Sequence, residues 1–197
     1  MSEEEVTDKE VVDDIPALDD IPDLEIPDID LEDFDIPEEE ETAVEDESGG
    51  SQTFAWIGSG QGGGRIAKAF YDRGYKKCIA VNTSYHDLDA LDIPIEQRLL
   101  LDVGEQGAGK DMEKGYEAAN KYKQNIFDLM RKVYGNNVDH LFVCVGAGGG
   151  SGSGSSLVLI DIAKKYMKYI GHDNPDASSR CTWLSVVLAP IAPQHIK

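Results

Sequence analysis

Cysteine is scarce in this chain: three residues in 197, at Cys78, Cys144 and Cys181, each alone within an apolar run. No pair has the spacing of a disulfide framework or a zinc site, so all three read as reduced, buried thiols of a cytosolic protein. Histidine is equally sparse. His86, His140, His172 and His195 are scattered along the chain, with no metal-ligand spacing among them. No apolar run is long enough to cross a bilayer and no signal-peptide pattern opens the chain, so the expected location is the cytoplasm.

Basic residues are almost missing from the first fifty positions, where Lys9 stands alone against 23 of the chain's 38 acids. Residues 51–197 therefore hold 15 acids and 17 bases, an ordinary balance of +2, and the net charge of −20 belongs to the N-terminal segment. That segment repeats Ile-Pro at 15–16, 21–22, 26–27 and 36–37. Proline bars long helices and pushes the preceding residue toward extended conformations. With so much like charge and few large apolar groups, residues 1–50 are expected to be a disordered acidic tail. Such a tail repels nucleic acid and anionic membrane. It serves either as a solubilising segment or as a linear motif, whose Ile, Leu and Phe34 among acids would dock on a basic, grooved protein partner.

Residues 51–197 suffice for one domain with a real core. Apolar runs of strand length at 53–57, 78–82, 98–103, 140–145 and 181–189 alternate with helical patterns at about 65–75, 111–134 and 155–170. Strands apolar on both faces and separated by helices predict an α/β fold, a Rossmann-like parallel sheet flanked by helices. Ligands of such sheets sit beyond the carboxyl ends of the strands.

Three glycine-rich stretches fall at those ends. The densest, "CVGAGGGSGSGSS" at 144–156, places six glycines in the nine positions 146–154. A flexible linker would not join a buried strand directly to an amphipathic helix, whereas a phosphate-binding loop does. The first stretch, Gly58-Ser-Gly60-Gln-Gly-Gly63, fits a dinucleotide fingerprint, yet the second strand ends Val81-Asn82-Thr83 without the acid that holds ribose hydroxyls. The third, "GEQGAGK" at 104–110, fits a P-loop except that Asp111 stands where Ser or Thr should bind magnesium.

One family uses all three stretches. "GGGSGSG" (148–154) resembles the glycine signature of the tubulin/FtsZ superfamily, and residues 139–165 resemble the bacterial division protein's strand, signature loop and helix. "IGSGQGGGRIAKAF", "IAVNTSYHDLDAL", "GAGKDMEKGYEAA" and "WLSVVLAPI" are similar, in the right order, to its first three nucleotide loops and its fifth strand with the start of the ribose loop. Ser84 stands where the division protein has Asp, Lys110 where it has Ala, and Gly64 where it has Asn, while Gln61 is shared with tubulins. This mixture resembles the divergent plasmid, phage or archaeal branches.

The resemblance implies the N-terminal, nucleotide-binding half of a GTPase that binds GTP/GDP with Mg²⁺ and assembles with itself head to tail. It places Gly60, Gln61 and Gly62 over the α- and β-phosphates, Asn82 in the second loop, and Gly107, Ala108, Gly109 and Lys110 at the γ-phosphate. Gly148, Gly149, Gly150, Ser151, Gly152 and Ser153 form the signature loop, whose N–H and hydroxyl donors and following helix dipole suit an anion. Asp87, Asp89 and Asp111 read as structural, which leaves no catalytic acid. The family's base-gripping helix, acid-bearing loop and second domain have no counterpart before Lys197, so the chain is expected to be a fragment or a reduced relative. Hydrolysis would then be completed by an adjacent subunit. A non-enzymatic nucleotide-binding module that recruits a partner through its acidic tail is the alternative.

Overall fold

The computed structural model describes residues 29–37, 44, 51–104, 107–172 and 184–189. Most of the expected tail, Glu105 and Gln106, Cys181, Pro190 and His195 lie outside the described residues. Five strands form one parallel sheet: β1 (Phe54–Ser59), β2 (Cys78–Asn82), β3 (Arg98–Leu100), β4 (His140–Gly146) and β5 (Leu184–Ala189). The helices are α1 (Gly60–Tyr71), α2 (Tyr85–Asp89), α3 (Met112–Lys121), α4 (Lys123–Tyr134) and α5 (Gly150–Tyr169). The Rossmann-like α/β class read from the sequence is the class observed.

The strand order is β3-β2-β1-β4-β5. From β1 the chain moves outward to β2 and β3, then crosses back to β4 and β5. Order reverses between β1 and β4, where Ile57 pairs with Val143 and Ser59 with Val145. In doubly wound sheets this reversal opens a crevice at the strands' carboxyl ends, because the two flanking connections leave toward opposite faces.

Alternation along the strands divides the core in two. Ala55, Ile57, Ile79, Val81, Leu141, Val143 and Val145 meet Ile126, Phe127 and Met130 of α4 and Leu159, Ile162 and Tyr166 of α5. On the other face Trp56, Cys78 and Cys144 pack with Ala67 and Phe70 of α1, while Ala80 packs with Leu88 of α2. Trp56 lies between Phe70 at 3.5 Å and Phe142 at 4.1 Å, both nearly parallel to it.

Several boundaries differ from the sequence reading, four of them at points that shape the site or its supports. Helix α1 begins at Gly60 rather than after Gly64, because Gly60 has φ +67 and turns the chain from strand to helix in one residue. Helix α5 begins at Gly150 rather than near Ser155, so the signature glycines lie within its first turns. The expected helix over 111–134 is two helices parted at Tyr122 (φ −99, ψ 16); α3 packs closely on α5, while α4 packs on α5 and also reaches β2 and β3. Strand β3 stops at Leu100, although the Leu101 N–H still reaches the Asn82 carbonyl at 2.8 Å.

Residues 29–37 are an exception to the expected disorder of the acidic tail. Ile29 and Phe34 are buried in the main core, and Phe34 stacks on Phe127 with centroids 4.2 Å apart. The tail's composition opposes an autonomous fold, but its spaced apolar side chains can still add to a core supplied by α4 and α5.

Candidate functional site

Four chain segments meet where the strand order reverses. The β1–α1 junction touches the β4–α5 loop: a Cβ on Gly60 would lie 2.9 Å from the Gly152 nitrogen, and one on Gly152 would lie 2.8 Å from the Gly146 carbonyl. Beneath them Ser59 Oγ and Ser155 Oγ share a buried hydrogen bond of 2.6 Å. The segment after β2 joins through Thr83, whose hydroxyl lies 2.5 Å from Ser151 Oγ and accepts the Ala108 N–H at 2.8 Å. The 107–110 segment closes the ring, with the Gly150 N–H donating to the Gly109 carbonyl at 3.0 Å. Gly60, Gly107, Ala108, Gly109, Gly150, Ser151 and Gly152 are thus brought together.

Gln61 and Asn82 meet through Asp87, which accepts from both side-chain amides at 3.5 Å. Asn82 is buried and also accepts the Ser84 N–H through Oδ1. Gly62 lies beside the signature strand's end, within 3.4 Å of where a Gly146 Cβ would stand. Gly148 and Gly149 are exposed at the tip, and a Cβ on Gly149 would meet nothing within 4 Å. Ser153 caps inward, its hydroxyl donating to the Gly146 carbonyl at 3.4 Å. Lys110 is exposed in the turn that leads into α3.

The signature glycines divide by what surrounds them. A Cβ on Gly150 would lie 2.5 Å from the Asp111 carbonyl oxygen, and one on Gly154 2.1 Å from that of Met112. These two let α3 and α5 approach backbone to backbone, as does Gly115 from the α3 side, 2.3 Å from the Gly150 carbonyl. Gly149 has no such neighbour, so packing places no demand on it. At the helix start, N–H groups of the first turn lack intrahelical acceptors. That of Gly150 is taken by the Gly109 carbonyl.

Three acids fill the structural roles read from the sequence. Asp111 caps α3 by accepting the N–H groups of Glu113 and Lys114, and Asp89 pairs with Arg98 at 3.9 Å. Asp87 holds Gln61 and Asn82 in place. Thr83 was not singled out as a site residue, although it ties two loops; its hydroxyl beside Asn82 was the available signal. Cys78 and Cys144 are buried, and burial pushes the Cys144 thiol up to about 12, so it is no nucleophile. No group of three or more His, Cys, Asp or Glu arranged to hold a metal occurs among the described residues.

The sequence model of the Tubulin/FtsZ family, GTPase domain, matches residues 53–172. The chain belongs to the tubulin/FtsZ family. No curated protein matches it. Among solved structures, CetZ1 of Haloferax volcanii, a GDP-bound monomer, is 35% identical over 60% of this chain and 38% of its own, with TM-score 0.51. CetZ of Methanosaeta thermophila is 24% identical over 73% of this chain and 38% of its own, with TM-score 0.58. The TubZ protofilament of Bacillus thuringiensis serovar israelensis is 21% identical over 70% and 37%, with TM-score 0.53. These last two share the fold. The chain spans well under half the length of each relative, and the tubulin/FtsZ domain here is a divergent member of that family. No helix among the described residues is long and apolar enough to cross a membrane.

Proposed function

We propose that the crevice between the β1–α1 and β4–α5 connections binds GTP and GDP, and that the chain is the nucleotide-binding part of a filament-forming GTPase. The observation that carries this reading is the contact of four loops at the point of strand reversal, with an exposed Gly148-Gly149 tip leading into the first turn of α5. Backbone N–H groups of Gly148, Gly149, Ser151 and Gly152, aided by the α5 dipole, would hold phosphate oxygens. Gly60, Gln61 and Gly62 would cover the α- and β-phosphates. Gly107, Ala108, Gly109 and Lys110 would lie at the γ-phosphate, and Asp87 and Thr83 would keep Gln61, Asn82 and Ser151 in register. The donor set suits an anion, so a magnesium ion would take its ligands from phosphate oxygens and water and would neutralise charge there. The Ser151 and Ser153 hydroxyls, held by Thr83 and Gly146, keep the loop's shape as well as offering donors.

Self-association head to tail in the cytoplasm follows from the same reading, with an adjacent subunit supplying the acids that position water. Titration calorimetry with the full chain should show saturable binding of GTP and GDP and none of NADH. Lys110→Ala should weaken GTP by tenfold or more and spare GDP, because a charge-assisted contact is worth roughly 1.5–3 kcal/mol. Equal loss for both nucleotides would contradict a γ-phosphate contact. The chain alone should turn over GTP negligibly, and robust turnover independent of protein concentration would contradict completion by a neighbour. Binding without nucleotide-dependent pelleting of the protein would favour a non-enzymatic module that recruits its partner through the acidic tail.

A further inference from the structure

Of the two roles open to the acidic segment, solubilising tail or docking motif, the second needs a basic, grooved partner, and the described structure offers an apolar face with a basic rim. Helices α4 and α5 present Phe127 and Tyr169, with ring centroids 5.8 Å apart, flanked by Lys123, Arg131 and Lys165. Residues 29–37, Ile-Asp-Leu-Glu-Asp-Phe-Asp-Ile-Pro, lie on that face. Ile29 and Phe34 are buried, with Leu31 and Ile36 packed beside them. The acids between pair with the rim: Asp33 with Lys123 at 3.6 Å and Asp30 with Lys165 at 3.5 Å. Backbone contacts fix the register. Asp35 N–H donates to Gln124 Oε1 at 3.1 Å, Gln124 returns a bond to the Asp35 carbonyl, and Arg131 donates to the Pro37 carbonyl at 3.3 Å.

We propose that the α4–α5 face is a docking site for an acidic peptide bearing Ile-x-Leu-x-x-Phe-x-Ile, and that residues 29–37 are its exchangeable resident ligand. The segment has no regular structure beyond one 3-10 turn at Leu31–Asp33, and Lys123, Gln124 and Arg131 of α4 and Lys165 of α5 hold it by hydrogen bonds and ion pairs. It is therefore bound as a peptide is bound, by apolar anchors in a groove with charged residues around them. Thirteen residues, 38–50, join Pro37 to Ser51, and Val44 touches the end of α4 through its N–H to the Val133 carbonyl at 3.2 Å. So short a tether holds the ligand at an effective concentration on the order of millimolar, which favours occupancy even for a weak motif. Lys165 lies fourteen residues along α5 from Ser151, about 21 Å at 1.5 Å per residue, so the docking face and the phosphate crevice occupy opposite ends of the helix. The proposal stands apart from nucleotide binding.

The test uses the full chain carrying Ile29→Asp and Phe34→Asp, which removes both anchors from the resident segment, and a fluorescent peptide of residues 29–37. Anisotropy should show saturable binding to this variant and at least tenfold weaker binding to the unsubstituted chain. Phe34→Ala in the peptide should weaken it roughly 30-fold, as expected for a buried aromatic anchor. About 0.5 M salt should weaken it only a few-fold, because the rim pairs are partly exposed. Absent binding to the folded variant, or equal binding of a scrambled peptide, would overturn the proposal. So would a variant that fails to fold, since the segment would then be indispensable to the fold rather than exchangeable. Hydrogen exchange on the unsubstituted chain gives an independent reading. The Phe34 amide, bonded to the Leu31 carbonyl, should be protected but far less than Val143 in β4. Protection equal to Val143, or none, would overturn exchangeable docking.

Discussion

At the scale of single residues, glycine does two kinds of work within one loop. Gly150, Gly152 and Gly154 lie within 2.1–2.8 Å of backbone carbonyls once a Cβ is imagined on them, whereas Gly149 faces open space. Density of glycine in the sequence marks the loop but cannot divide these roles, because the carbonyls that crowd Gly150 and Gly154 belong to Asp111 and Met112, some forty positions away. Thr83 was hidden for the same reason: its partners, Ser151 and Ala108, are distant in sequence. Buried titratable groups give a testable consequence. Burial pushes the Cys144 thiol from 9.0 up to about 12, and raises Tyr134 and Tyr166 well above the ordinary phenol range. The folded chain thus keeps protons that the unfolded chain releases above about pH 9, so fewer protons are bound on unfolding and stability falls as pH rises. Denaturant titrations should show stability steady from pH 7 to about 9, then losing a few kcal/mol toward pH 12. A flat profile across that range would contradict the buried placement of these groups.

At the scale of elements, strands were the most legible features. β2 was read at its observed limits and β1, β4 and the described part of β5 nearly so, because two buried faces impose continuous apolar runs. Helix ends were less legible. No glycine or proline marks the break at Tyr122, beyond which α4, unlike α3, reaches β2 and β3 as well as α5. The glycine turns that open α1 and α5 are poor helix formers by propensity, and only tertiary contact holds them helical. Gly171, with φ +99, ends α5 as its position suggested. The α3–α5 crossing is highly sensitive to a single methyl. Gly154→Ala should lower stability by about 2–4 kcal/mol, since a backbone carbonyl 2.1 Å away cannot yield without parting the helices. A thermal melt reads this directly, and a shift below about 1 kcal/mol would mean that the helices separate easily. Residues 29–37 taught the opposite lesson: composition gave no sign that a fold-incompetent segment would find a groove on its own chain.

At the scale of the whole molecule, four loop motifs in order along the sequence meet at one place in space, by the carboxyl ends of β1, β2 and β4. Parallel topology brings them there, since each strand's end is on the same side of the sheet and the reversal between β1 and β4 opens a gap between their connections. The crevice was therefore legible as a cluster, though not the hydrogen bonds that join its members. The central claim, phosphate binding by the β4–α5 loop, has a direct measurement: nucleotide affinity of the full chain beside that of Gly149→Val. Gly149 has φ −119 and no neighbour within 4 Å of a Cβ, so the substitution should leave the melting temperature nearly unchanged. The added isopropyl group would stand over the exposed start of α5, and affinity for GTP and GDP should fall at least a hundredfold, about 2.7 kcal/mol or more. Unchanged affinity in the folded variant would contradict phosphate binding at this loop.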